Sequence, residues 1–186
     1  NAEMVEKLAE GYNASPRDID GSCVTVVASK QKSGVAAEDA ATGFANLAAD
    51  QRPTLWLPDS SMWLAAAGSE APVGDATPVA YSDIVPAMPQ SLAAAIGWDE
   101  KAPSWAEVIA AGADADLWSG HGHAEWGAFK LGKTSPLVAT SGAAAMLASY
   151  GVAADAVGEV TVAEVEDPEV RATVHEQELA TSHYMA

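Results

Sequence analysis

Apolar residues at Met4, Val5, Leu8 and Tyr12 recur at helical spacing, which predicts a helix over 3–13 that Asn13 and the turn SPRDIDG bring to an end. The period then changes. An unbroken apolar run from Val24 to Ala28 predicts a short buried strand, with Cys23 at its head as a small buried side chain. SKQKSG leads into an alanine-rich helical stretch from Val35 to Ala48, and QRPTLWLPDSS reads as turn, four-residue strand and turn. Helix, strand, helix, strand in that order argue for an α/β chain whose parallel sheet carries helices on its faces.

Further along, TPVAYSDIVPAMP over 77–89 reads as a strand running into a crossing, since Pro86 and Pro89 disfavour helix before Gln90. A lobe boundary placed there divides the chain into 1–86 and 87–186. Ser91 to Ile96 reads as helix and GWDEKAPSW as loop, and Ser104 with Glu107 forms a capping box for a short helix ending near Ala111. Residues 112–127 read as an irregular loop carrying Trp118 and Trp126, followed by a short strand over 129–131. A helix from Gly142 to Tyr150 is expected to stop at Gly151, and Asp167-Pro168 to cap a last helix that runs to near Tyr184 with Val170 and Val174 on one face. No internal repeat and no low-complexity linker interrupts this order.

Candidate chemistry concentrates in GHAEWGAFKLGKTSPLVATSGAAAMLASY, residues 122–150, where a polar, glycine-bearing turn leads into an alanine-rich helix. The first turn of a helix leaves N–H groups unpaired at the positive end of its dipole, so it holds anions and neutral oxygens. Thr140, Ser141 and Gly142 supply two hydroxyls and a bare backbone there; the competing reading is ordinary N-capping by Thr140 or Ser141. Ligands of α/β sheets sit beyond the carboxyl ends of the strands. Two such ends are hydroxyl-rich, Ser29 to Gly34 and Asp59 to Ser61, and simple capping of the following helices competes there too.

Charge narrows the partners. With 26 acidic against 9 basic residues the chain carries −17, which argues against nucleic acid and anionic membrane as partners. It does not exclude an anionic solute, because converging N–H dipoles act at short range while surface carboxylates are screened beyond roughly 8–10 Å. The lone Cys23 has no partner for an internal disulfide. No apolar run approaches the roughly 20 residues of a membrane span, and no export signal opens the chain. Asn1-Ala2, with no methionine before a helix, reads as a cut end, so either the protein is cytosolic or its export signal or anchor has been removed.

His121 and His123 with Glu125 suggest a divalent metal, but no cysteine or third spaced histidine completes the set, and a polar loop packed by Trp126 is the better reading. Nucleophilic catalysis lacks a G-x-S-x-G elbow. GKTSP at 132–136 resembles a phosphate-binding loop in its letters only, since Pro136 blocks the helix that such a loop requires. The residues therefore argue for a protein that is not an enzyme, with no catalytic residue, cofactor or metal. Six tryptophans, Trp56, Trp63, Trp98, Trp105, Trp118 and Trp126, serve packing or line a cleft.

GYNAS at 11–15, CVTVVAS at 23–29, PDSSMW at 58–63, VPAMPQ at 85–90 and GHAEWGAFKLGKTSP with its TSG helix are together similar to bacterial extracellular solute-binding proteins. They are most similar to the actinobacterial branch in which a von Willebrand factor A domain follows. The resemblance implies a type 2 periplasmic-binding-protein fold, two α/β lobes joined by crossing strands that close by hinge motion on a solute held between them. It implies ligand-facing positions at Ser29, Ser33, Asp59, Ser60 and Ser61 in the first lobe and at Thr134, Ser135, Thr140, Ser141 and Gly142 in the second. The implied partner is a small polar solute, anions included, bound outside the cell or at its surface, with a transporter or a protein engaged alongside the downstream domain as alternatives. Relative to that family the first lobe lacks its first strand and the second lobe is incomplete.

Overall fold

The computed structural model describes residues 2–15 and 17–185, a helix-rich mixed α/β chain with two small sheets. Two compact units divide at Ala76/Thr77.

In the first unit, α1 (Ala2–Asn13) forms where the apolar spacing places it, although Ala9 alone is fully buried and Met4 and Leu8 are exposed. β1 (Asp18–Ile19) and β2 (Ser22–Cys23) pair antiparallel about Asp20 and Gly21, whose φ angles of 52° and 76° are those an Asp-Gly hairpin turn needs. The Gly21 N–H donates to the Asp18 carboxylate at 2.8 Å, closing the turn. The buried strand expected over 24–28 does not form. Its Val27 is 87% exposed, and Cys23 is exposed as well. A strand needs a neighbour, and here the side-chain amide of Asn13 takes that part for one residue: it donates to the Val26 carbonyl at 2.8 Å and accepts from the Val26 N–H at 2.9 Å. The four-residue strand over 54–57 is likewise absent among the described residues, and Leu55 and Leu57 are exposed.

The first core is built instead from two helices. α2 (Ser33–Ala41) buries Gly34, Ala36, Ala37 and Ala40 and packs against α3 (Met62–Ala67), which buries Trp63 and Ala67. α2 brings small side chains to this packing, and Trp63 on α3 is 6% exposed. α2 stops well short of Ala48 because Gly43 and Phe44 turn left-handed, at φ 64° and 57°, which folds the buried Phe44 ring back onto the unit.

The second unit begins with 77–89, extended as the prolines require but without a strand partner among the described residues. α4 (Gln90–Ala95), α5 (Trp105–Ala113) and α6 (Leu117–Gly120) precede β3 (Leu131–Thr134), a strand two residues later than the sequence places it. α7 (Thr140–Ala153), α8 (Val162–Glu166) and α9 (Pro168–Leu179) follow, then β4 (Thr181–Met185). α7 passes through Gly151 and ends where Asp155 takes φ 50°, and α9 ends before the segment that sequence periodicity assigned to it. That segment pairs instead, parallel to β3, with Leu131 opposite Thr181 and Lys133 opposite Tyr184. Parallel strands need a covered crossover, and α7, α8 and α9 supply it. Val108, Ala111, Trp118, Ala145 and Val174 form the buried core.

Two caps of this unit form where the sequence places them. The Ser104 hydroxyl accepts from the Glu107 N–H at 3.2 Å while the Glu107 carboxylate accepts from the Ser104 N–H at 2.6 Å, and Asp167 accepts from the N–H groups of Glu169 and Val170. A second capping box, Thr161 with Glu164, caps α8. Both glutamates are held below the usual carboxylate range, first by the hydrogen bond from the cap residue's backbone and then by that from its hydroxyl. A lowered folded pKa contributes stability that is present above the ordinary glutamate range and is lost as pH falls through the folded value. Helix content followed by circular dichroism is therefore expected to fall on acidification below about pH 4.5, and the fall to be shallower in a Ser104→Ala/Thr161→Ala variant. An acid limb identical in parent and variant would contradict this.

Candidate functional site

In the second unit the carboxyl end of β3 meets the amino end of α7. The Thr134 and Ser141 hydroxyls lie 2.8 Å apart in a hydrogen bond, and Gly142 beside them is buried. A Cβ on Gly142 would sit 2.2 Å from the Thr134 carbonyl oxygen and 2.8 Å from the carbonyl carbons of Thr134 and Ser135. Only glycine permits that approach, so the residue marked as a bare-backbone ligand position is also what lets the strand end rest on the helix. Ser135 closes the intervening turn, its carbonyl accepting from the N–H groups of Val138 at 3.3 Å and Ala139 at 3.1 Å.

Capping by Thr140 or Ser141 is not what the structure shows. The N-cap of α7 is Ala139, which has no side-chain acceptor, whereas α5, α8 and α9 are capped by Ser104, Thr161 and Asp167. Thr140 is the first helical residue, and the Ser141 hydroxyl turns to Thr134. The helix thus presents its first N–H groups next to two hydroxyls, without a side-chain cap.

In the first unit, Ser33 opens α2 and donates to the Asp59 carboxylate at 2.5 Å, joining two segments 26 residues apart. Ser60 accepts from the Met62 N–H at 3.3 Å, and Ser61 stands at the N-cap of α3 without a side-chain cap bond. Ser29 lies on the exposed extended run four residues before Ser33. Ser33, Asp59, Ser60 and Ser61 are therefore gathered where two helices begin, and Thr134, Ser135, Thr140, Ser141 and Gly142 where one does.

Beneath the second cluster is a feature that sequence reading missed. Lys133 turns inward, its side chain 7% exposed, to pair with Glu178 of α9, whose side chain is 14% exposed. It also donates to Ser149 of α7 at 3.5 Å, and Ser149 donates to the Ala145 carbonyl. The lysine of GKTSP is thereby spent inside the unit. The signal available was the strand alternation that sets Lys133 and Thr134 on opposite faces of β3.

The loop before β3 is an aromatic pile. His123 stacks on Trp126 with centroids 3.8 Å apart, Trp126 meets the buried Trp118 edge-on at 5.2 Å, and Phe129 bridges Trp118 and Trp98. His123 Nδ1 lies 3.3 Å from Glu125, whose pKa is lowered first by its own backbone N–H and then by this histidine. Among the described residues, no group of three or more His, Cys, Asp and Glu is placed to hold a metal ion. None of the described helices is long and apolar enough to cross a membrane.

Hydroxyls and helix-end N–H groups are donors of the kind that suit small polar molecules. Residues 1–181 match the family model of the bacterial extracellular solute-binding proteins, and the chain belongs to that family. Membership gives it a solute-binding role, a small-molecule ligand and a place outside the cytoplasm. No curated protein and no solved structure matches the chain.

Proposed function

We propose that this domain binds a small polar solute, oxyanions foremost, through neutral donors alone. The observation that carries the reading is the amino end of α7, where Ala139 supplies no side-chain cap and the Thr134 and Ser141 hydroxyls stand beside the first turn of the helix. With Lys133 paired to Glu178, no lysine of β3 adds positive charge there. Hydroxyl and N–H donors favour an oxyanion with several acceptors over a cation. Ser135, Thr140 and Gly142 complete that cluster; Ser29, Ser33, Asp59, Ser60 and Ser61 form the first-lobe half of the same proposal. The finer reading is the type 2 arrangement, lobes 1–86 and 87–186 closing on one solute, in the actinobacterial branch whose members carry a von Willebrand factor A domain downstream. Binding alone, without catalysis, is part of it.

Thermal unfolding against sulfate, phosphate, sugars, amino acids, polyamines and divalent metals tests it. A bound solute at about 100 times its dissociation constant adds roughly 2.7 kcal/mol, a readily measured shift. The expected outcome is a selective shift with one oxyanion, abolished by Ser141→Trp. A panel without any shift would sink the solute reading at this site and favour a role in binding another protein.

A further inference from the structure

Ahead of β3, the turn 121–127 carries a titratable ring laid flat on an indole. His123 stacks on Trp126 with ring centroids 3.8 Å apart and planes 4° from parallel, and its Nδ1 stands 3.3 Å from the Glu125 carboxylate. The backbone is tied at the same point: the His123 N–H donates to the Trp118 carbonyl at 2.8 Å, and the Trp126 N–H to the His123 carbonyl at 3.0 Å. Trp118 is 3% exposed and belongs to the core, so ring and backbone together fasten this turn to the interior. Phe129, packed on Trp118 at 5.8 Å, carries the chain on into β3.

Protonation changes what these contacts are worth. A histidine gains its charge as pH falls from about 8 to about 5. Over an indole face an imidazolium makes a cation–π contact, and beside an ionised carboxylate it makes an ion pair; a neutral imidazole makes neither. Glu125 stays ionised throughout that interval, since its carboxyl is held below the usual range. The His123 side chain is 36% exposed, which lets solvent protons reach it and leaves both contacts partly screened. Around α6, which packs on this turn, the titratable residues are Asp116 at the amino cap and His121 at the carboxyl cap. The Asp116 carboxylate accepts from the Ser119 hydroxyl at 3.4 Å, and a protonated His121 is a like charge that opposes a charged His123.

We propose that His123 is a proton-operated clamp on the turn 121–127: charged, it is gripped between the Trp126 ring and the Glu125 carboxylate and holds the turn to Trp118, and neutral, it lets the turn open more often. The device does not depend on whether the Thr134–Ser141 cluster takes a solute. A protein outside the cytoplasm meets the acidity of its surroundings directly, and the clamp makes the order of the segment leading into β3 follow it.

Hydrogen exchange of the His123 and Trp126 amides in the intact chain, corrected for the intrinsic pH dependence of exchange, reads the opening of the turn. Protection is expected to be about two- to fivefold greater at about pH 5.5 than at about pH 8, the worth of one exposed cation–π contact or ion pair. His123→Gln keeps a hydrogen-bonding side chain that cannot be charged, and is expected to abolish the difference. Glu125→Gln removes the anion and is expected to reduce it, while His121→Gln preserves or enlarges it. Equal corrected protection at the two pH values in the parent, a difference that survives His123→Gln or is untouched by Glu125→Gln, or one lost in His121→Gln would each overturn the proposal.

Discussion

Gly142→Ala is expected to destabilise the protein by about 2 kcal/mol, although alanine is the better helix former by roughly 1 kcal/mol. The sign is decided by the Thr134 carbonyl oxygen, 2.2 Å from where the new Cβ would stand. Backbone on both sides leaves nothing flexible to yield, so β3 must lift from α7 and the Thr134–Ser141 hydrogen bond opens. Gly151 in the same helix is the internal control: its added Cβ would meet only the Val160 Cγ2 at 3.5 Å, an ordinary contact. Gly151→Ala is therefore expected to be neutral or stabilising by up to about 1 kcal/mol. Thermal melts of the two variants read the difference directly, and equal shifts would remove the close approach as a determinant of the site. A solute held at the amino end of α7 should lose affinity in Gly142→Ala and keep it in Gly151→Ala.

The buried pair of Lys133 and Glu178 carries the other large effect. Glu178→Ala strands the charge of a lysine side chain that is 7% exposed in the parent, with Ser149 as its remaining hydrogen-bond partner, and such stranding costs about 3–5 kcal/mol. Removing both charges is another matter. In Lys133→Met/Glu178→Leu the desolvation penalty disappears with the attraction, so most of the lost stability returns. Urea denaturation of the single and double variants reads the coupling. Additive losses would show that the pair does not act as a unit. Because Lys133 precedes Thr134, the single variant is also expected to loosen the strand end that holds the second hydroxyl cluster.

Local chemistry was legible wherever the interaction is local. The Ser104–Glu107 box, the Asp167-Pro168 cap and the helix over 3–13 depend on residues within one or two turns, and each forms where spacing places it. The hydroxyl-rich helix entries were legible for the same reason, since serine, threonine and glycine before an alanine run mark a helix start. What failed needed a distant partner. Val24–Ala28 has the composition of a strand, but Asn13 occupies the one backbone pair that is made, and no second strand comes alongside. TSHYM carries helical continuity from α9 in sequence, yet it becomes β4 because β3 offers an edge some 50 residues earlier in the chain. Cys23 looked interior only because its strand did.

By itself, then, the sequence determined the acidic composition, the longer helices and the caps of two of them, the family, and the small hydroxyl-bearing residues at the helix starts, all of which rest on composition or on neighbours within a few residues. The tertiary structure alone decided which of those residues meet. It set Thr134 against Ser141, drew Lys133 inward to Glu178 and Ser149, and made Gly142 indispensable through contact with a carbonyl eight residues away. The reason is physical: a pattern of side chains fixes which face of an element is apolar, whereas a close approach or a buried charge pair depends on which distant segment arrives to complete it.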